Sequence, residues 1–170
     1  MNELKQKYDK LIADQRELQR KFQEQAQALF KETTTEFFSL NPGINAVIWT
    51  QYTPYWNDGE TCEFSVGAPS FTNAARDDFN DLSCYEYDGD NDAIWVVDDL
   101  RFVLTSGRDY CESDKQKILA GPPVDIKSCG LFSSMIQSPE FEDVMKAMFG
   151  DHSIVIATRD GFDVEEYDHE

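Results

Sequence analysis

The sequence contains no Cys-x-x-Cys pair, no Walker A loop, no GxGxxG turn, no GxSxG elbow and no HExxH helix. Zinc ribbons, thioredoxin-type redox centres and the common nucleotide and hydrolase signatures are therefore missing. Histidine is scarce: His152 and His169 are the only two. Imidazole is the commonest general base near neutral pH, so this scarcity narrows the enzyme options. His152 follows a helix-to-strand turn and His169 is next to last, so both read as loop or tail residues.

Long apolar runs are also missing, and no membrane span is expected. The first residues, MNELKQKYDKLIADQ, hold no apolar core of a secretory signal. The expected compartment is the cytoplasm. Cys62, Cys84, Cys111 and Cys129 are spaced by 22, 27 and 18 residues, and reduced, packed thiols are expected of them.

The third shortage is of positive charge. Fifteen Lys and Arg face 33 Asp and Glu, a net charge of -18. Residues 1–40 balance, with seven of each sign; residues 41–170 hold eight basic and 26 acidic residues, the entire imbalance. Such a surface repels phosphate backbones, which argues against nucleic-acid or anionic-membrane binding. It attracts a basic surface on a protein partner, although solubility alone also accounts for it.

What is present fits one domain spanning residues 1–170: a long helix over 2–38, then an acidic body over 44–170. At 41% hydrophobic residues the chain can build a core despite its charge. Residues 2–38 contain no Gly or Pro and are rich in Glu, Lys, Gln, Leu and Ala. Their apolar stripe is Leu4, Tyr8, Leu11, Leu18, Phe22 and Leu29, with Gln15 and Gln25 in the gaps. The spacing alternates four and three, a heptad pattern. A helix lying along a sheet of its own chain carries nearly the same stripe. Both intramolecular packing and a homo-oligomer through residues 2–38 remain open.

Asn41-Pro42-Gly43 ends the helix. Ile44–Gln51 and Thr61–Val66 read as strands of a looped hairpin, with Cys62, Phe64 and Val66 on one face. Ser83–Tyr87 reads as a short strand, and Ala93–Leu104 begins as strand by composition. A helical piece is expected near Lys115–Leu119. Residues 125–137 read as a helix, and Ser138-Pro139 starts another, with Ser138 as N-cap, Phe141, Val144, Met145 and Met148 inward, and Gly150 past its end. Ser153–Thr158 and Phe162–Tyr167 form a C-terminal hairpin around Arg159-Asp160-Gly161, with Phe162 and Val164 inward. Strands and helices do not alternate, so the fold class is α+β: a long N-terminal helix packed on a mostly antiparallel sheet, with two shorter helices before the last hairpin.

Three groups of residues stand out as candidate sites. Trp49, Tyr52, Tyr55, Trp56, Asn57, Asp58 and Glu60 gather around the first hairpin. Aromatics there can anchor a protein or stack on a planar ligand, or simply cap the core. With Glu63, the carboxylates could hold a cation or polarise a substrate. A second group is acidic: residues 77–99 hold nine acids and residues 160–170 hold six, with no Lys or Arg in either stretch. Asp88, Asp90, Asp92, Asp98, Asp99, Glu165, Glu166 and Asp168 would form one negative face if the stretches meet. Carboxylates at phosphate spacing would imitate DNA. Thirdly, Asp88, Asp90, Asp92 and Asp99 occupy calcium-loop positions, but Ala93 replaces the turn glycine and Asp99 the bidentate Glu. An acidic surface loop accounts for them better, and neither a metal nor a cofactor is expected.

Trp49–Phe64 (WTQYTPYWNDGETCEF) and Phe149–Glu170 (FGDHSIVIATRDGFDVEEYDHE) together resemble a family of short uncharacterised proteins found in tailed bacteriophages and some bacteria. The two stretches make up under a quarter of the chain. The family carries no assigned activity. The resemblance implies a source, a phage-encoded protein acting in the bacterial cytoplasm, and no site residue.

The expected function is a non-enzymatic accessory factor that binds a host or phage protein through its acidic face. Two alternatives stand beside it: a small-ligand or cation site, or an enzyme, at hairpin 49–64, and a structural role through the N-terminal helix.

Overall fold

A computed structural model describes residues 2–56, 59, 61–73, 94–96 and 121–168. The first helix, α1, runs over Asn2–Leu40. Residues that favour helix fill it, and ion pairs one turn apart line its outer side. Lys7 meets Glu3 at 2.9 Å, and Arg20 bridges Glu17 at 2.8 Å and Glu24 at 2.6 Å. Near its end the Thr34, Thr35 and Ser39 hydroxyls donate back to the carbonyls four residues earlier, at 2.8 to 3.0 Å.

Asn41 stops the helix and is fully buried. Its Nδ2 donates to the Phe37 carbonyl at 2.9 Å and to Ser128 Oγ at 2.7 Å, while Oδ1 accepts from the Asp125 amide at 2.7 Å. One side chain thus caps α1 and ties it to the start of α2 (Ile126–Ile136). Gly43 follows where any Cβ would overlap the Pro122 carbonyl oxygen.

The sheet has six strands among the described residues: β1 (Ala46–Tyr52), β2 (Ser65–Val66), β3 (Ser70–Thr72), β4 (Ile94–Val96), β5 (Ser153–Thr158) and β6 (Gly161–Glu166). Their order is β4-β3-β1-β5-β6, with β2 beside β1 ahead of β3, and every pairing is antiparallel. Central β1 is buried on both faces from Ala46 to Trp49. Gln51 pairs with Val66 and Ile48 with Ser70, so Trp49 and Thr50 face three residues, Gly67, Ala68 and Pro69. This is a β-bulge. Gly67 sits there because a Cβ would stand 2.9 Å from Thr50 Oγ1.

Odd-numbered residues of β1 face the helices. Val47, Trp49, Phe71, Val155 and Ala157 meet Phe30, Phe37, Cys129, Phe132, Ile136, Met145 and Phe149 in one core. It is largely aromatic: the Phe30 ring lies 5.8 to 6.4 Å from Trp49, Phe132, Phe149 and Phe162, and Phe37 stacks on Phe132 at 4.4 Å. The other face of the sheet buries Ala46, Ile48 and Ile156. After α2, a 3-10 turn at Pro139–Phe141 leads into α3 (Glu142–Phe149). Gly150 ends α3 with φ 87°, a left-handed value that glycine tolerates.

The α+β fold is as expected from the sequence, with several local corrections. The apolar stripe of α1 does not lie on the sheet. Leu4, Tyr8, Leu11, Leu18, Phe22 and Leu29 are between 56% and 77% exposed. The residues that do bury are Ala26, Phe30, Thr34, Phe37 and Phe38. At 100° per residue these lie about a quarter-turn around the helix from the stripe. From residue 3 to 25 all side chains are exposed except Ile12 and Gln23, which are half-covered.

Val164, expected inward, is 47% exposed: among the described residues β6 is the last strand of the sheet order, and its Phe162 ring packs against Phe30 and Phe149. The strand expected over Thr61–Val66 is confined to Ser65–Val66, because β1 ends at Tyr52, opposite Ser65, and the next amide, that of Thr53, donates to Asp151. Ser138 makes no capping bond; its hydroxyl donates to the Glu140 carboxylate instead. Of Ala93–Leu104, only Ile94–Val96 is described, as strand, while Ser83–Tyr87 and Lys115–Leu119 lie outside the described residues.

Candidate functional site

Two surfaces of the described molecule carry groups suited to recognition. The first is the end of the sheet where β1 leaves and β5 enters. Gln51, fully buried on β1, donates to the carbonyls of Met145 at 3.1 Å and Gly150 at 2.6 Å, and its Oε1 accepts from Trp49 Nε1 at 3.4 Å. It ties β1 to a carbonyl within α3 and to that of Gly150 just past it, which fixes the loop that follows.

In that loop Asp151 Oδ1 accepts from the backbone amides of Thr53 at 2.7 Å and His152 at 3.0 Å. Oδ2 accepts from Thr53 Oγ1 and Lys146 Nζ, at 2.7 and 2.8 Å. Burial opposes the negative charge. The bonds from Lys146 and Thr53, with that from the His152 amide, outweigh it and hold the carboxyl well below the usual carboxylate range. With both oxygens occupied, Asp151 is a staple between two loops and not a free base.

His152 takes a φ of 51°, and its ring stacks on Tyr55 at 4.8 Å with 12° between planes. Lys146 Nζ stands 4.9 Å over the Phe64 ring, and Tyr52 packs edge-on to Tyr167 at 5.1 Å. Of the hairpin residues singled out in the sequence, Tyr52 and Tyr55 belong to this end. Tyr55 and Trp56 are 68% and 76% exposed. Trp49 does not join them: it is buried in the core against Phe30 and Phe149. Asn57, Asp58 and Glu60 lie outside the described residues. Asp151, Lys146 and Thr53 were missed by sequence reading, because nothing local links residues 98 positions apart.

The acidic residues are only partly described. Glu165, Glu166 and Asp168 are exposed; Asp88, Asp90, Asp92, Asp98 and Asp99 lie outside the described residues. Glu165 pairs with Ile154 and Glu166 with Ser153, so these two acids project from opposite faces of β6. Among the described residues, no group of three His, Cys, Asp or Glu side chains is placed to hold a metal ion.

The second surface is the exposed part of α1. About seven turns of the stripe, from Leu4 to Leu29, face solvent, and the polar positions around it carry the ion pairs already described. Further along α1, a groove of about 210 Å³ opens against α2, lined by Glu36, Phe37, Leu40, Leu131, Phe132 and Met135.

Among the described residues, no helix is long and apolar enough to cross a membrane. Family models, curated proteins and solved structures yield no match to this chain.

Proposed function

We propose that this chain is a non-enzymatic binding protein that docks a helix of a protein partner along the exposed stripe of α1. The observation that carries the reading is the exposure of six large apolar side chains at heptad spacing on α1. Contiguous apolar surface of this kind is costly in water and marks an interaction site. Heptad spacing selects another helix as the partner surface. The charge-neutral arm and the acidic body divide the labour: the body contributes solubility and repulsion of nucleic acid, the arm contributes the contact. The resemblance of two stretches to a phage family adds a source to the proposal, an accessory protein meeting host or phage proteins.

The test uses the tagged chain and its Leu11→Asp/Leu18→Asp variant as baits in bacterial lysate. Captured proteins are identified and rebuilt as purified complexes at low and high salt. A partner lost by the variant and retained at high salt supports docking on the stripe. A partner held equally by both baits and released by salt would move the contact to the acidic surface.

A further inference from the structure

Building on the arm reading, we infer that the partner helix is α1 of a second copy, paired antiparallel so that Leu11 of each copy meets Phe22 of the other. The heptad assigns Leu4, Leu11, Leu18 and Gln25 to one core position and Tyr8, Gln15, Phe22 and Leu29 to the other. Antiparallel helices pair the first set with the second. Centring the pair between Arg16 and Glu17 matches Leu4 with Leu29, Tyr8 with Gln25, Leu11 with Phe22 and Gln15 with Leu18. Every position of the stripe then has a partner. The two Gln15 amides fall in adjacent central layers, where each can hydrogen-bond the other. Gln25 comes within reach of a Tyr8 hydroxyl, so its amide keeps a polar neighbour.

Charge selects this direction over the parallel one. In the antiparallel pair the flanking Asp14 of each copy faces Lys21 of the other, two attractive contacts. Parallel pairing sets Lys7 against Ile12, Asp14 against Gln19 and Lys21 against Ala26, with no attraction at all. The bodies add a second argument. Residues 41–170 carry the whole net charge of -18, and the parallel arrangement would bring two such bodies together at the same end. In the antiparallel arrangement the points where α1 enters each body, at Phe30, lie about 40 Å apart along the axis. That is several screening lengths at physiological salt, about 8 Å each.

The area is sufficient. Six side chains between 56% and 77% exposed offer roughly 600–800 Å² per copy, near the ~800 Å² a side of a standard interface. Over residues 4–22 the docking face is clear of the body, whose contacts begin at Ala26, beside the seam, and continue through Phe30 and Phe37 on the neighbouring face.

The test combines mass and orientation. Sedimentation equilibrium of the purified chain over a wide concentration range is expected to give twice the chain mass. Leu11→Cys chains mixed with Phe22→Cys chains are expected to form a mixed disulfide under mild oxidation. Leu11→Cys alone should not cross-link, since its copies stand about 16 Å apart along the axis. The wild-type chain with its native cysteines is the control. Asp14→Lys should weaken the dimer about tenfold, and adding Lys21→Glu to the same chain should restore it.

Self-cross-linking of Leu11→Cys would overturn the antiparallel pairing. A chain monomeric at every concentration would overturn the second copy as partner, yet leave the arm reading standing if Leu11→Asp/Leu18→Asp still abolishes capture of another protein. A monomer whose capture is untouched by that variant would remove both.

Discussion

Phe22 and Phe30 lie two turns apart on α1, and truncating each should have opposite consequences. Phe30 is fully buried and touches Trp49, Phe132, Phe149 and Phe162. Phe30→Ala removes the ring at the centre of the aromatic core and leaves a cavity that four rigid rings cannot fill. A loss of about 3–5 kcal/mol follows, a large share of the ~5–15 kcal/mol that holds a domain together. Phe22 is 58% exposed and has no place in that core. Phe22→Ala should change the stability of the monomer by under about 0.5 kcal/mol, with alanine's better helix propensity opposing the small loss of contact. The assay is urea unfolding at submicromolar concentration, where arm association is dilute, followed by tryptophan fluorescence. Of the three tryptophans, Trp49 is buried and contributes the core-sensitive part of the signal, while Trp56 is exposed already in the folded state. Equal losses for the two variants would mean that the arm packs on the body in solution, and the division of α1 into body and arm would fail.

Three further outcomes follow from the same structure. Gln51→Leu removes the bonds to the Met145 and Gly150 carbonyls and takes the acceptor from the Trp49 indole N–H, and should destabilise the domain by about 2–4 kcal/mol in the same urea assay. Asp151 has a depressed carboxyl pKa, so the stability it contributes is present above the ordinary carboxylate range and is lost as pH falls through its folded value. Accordingly Asp151→Asn should cost about 1–2 kcal/mol at pH 7, and the difference from wild type should shrink as pH is lowered below 4. Burial pushes the Cys129 thiol up to about 12, so it should resist a thiol reagent at pH 8 in the folded protein and react on unfolding.

The parts of the fold legible in the sequence were those fixed by local chemistry. α1 announces itself by composition and by Asn41-Pro42-Gly43, β5 by Ser153–Thr158, and α3 by its buried face and Gly150. Short strands β2 and β3 were not separable, because a bulge at Gly67–Pro69 that depends on non-local pairing with β1 defines them. The stripe of α1 was legible as a pattern, but its destination was not. A stripe that packs on a sheet and one that meets another helix share the same period. The deciding residues, Ala26, Phe30 and Phe37, form a second face a quarter-turn away, hidden in the sequence among the heptad positions. At the hairpin end, Tyr52 and Tyr55 were found by density of aromatics. Trp49 was misplaced among them because alternation along β1 turns it inward beside Val47 and Gln51.

The central claim is that the outer face of α1 is a docking surface that contributes nothing to the folding of its own body. Sedimentation and urea unfolding of the wild-type chain and Leu11→Asp/Leu18→Asp test it together. The account predicts a wild-type dimer, a variant that stays monomeric at every concentration, and the same unfolding midpoint for both monomers at high dilution. A variant that unfolds, or a wild-type monomer whose binding behaviour the variant shares, would contradict it.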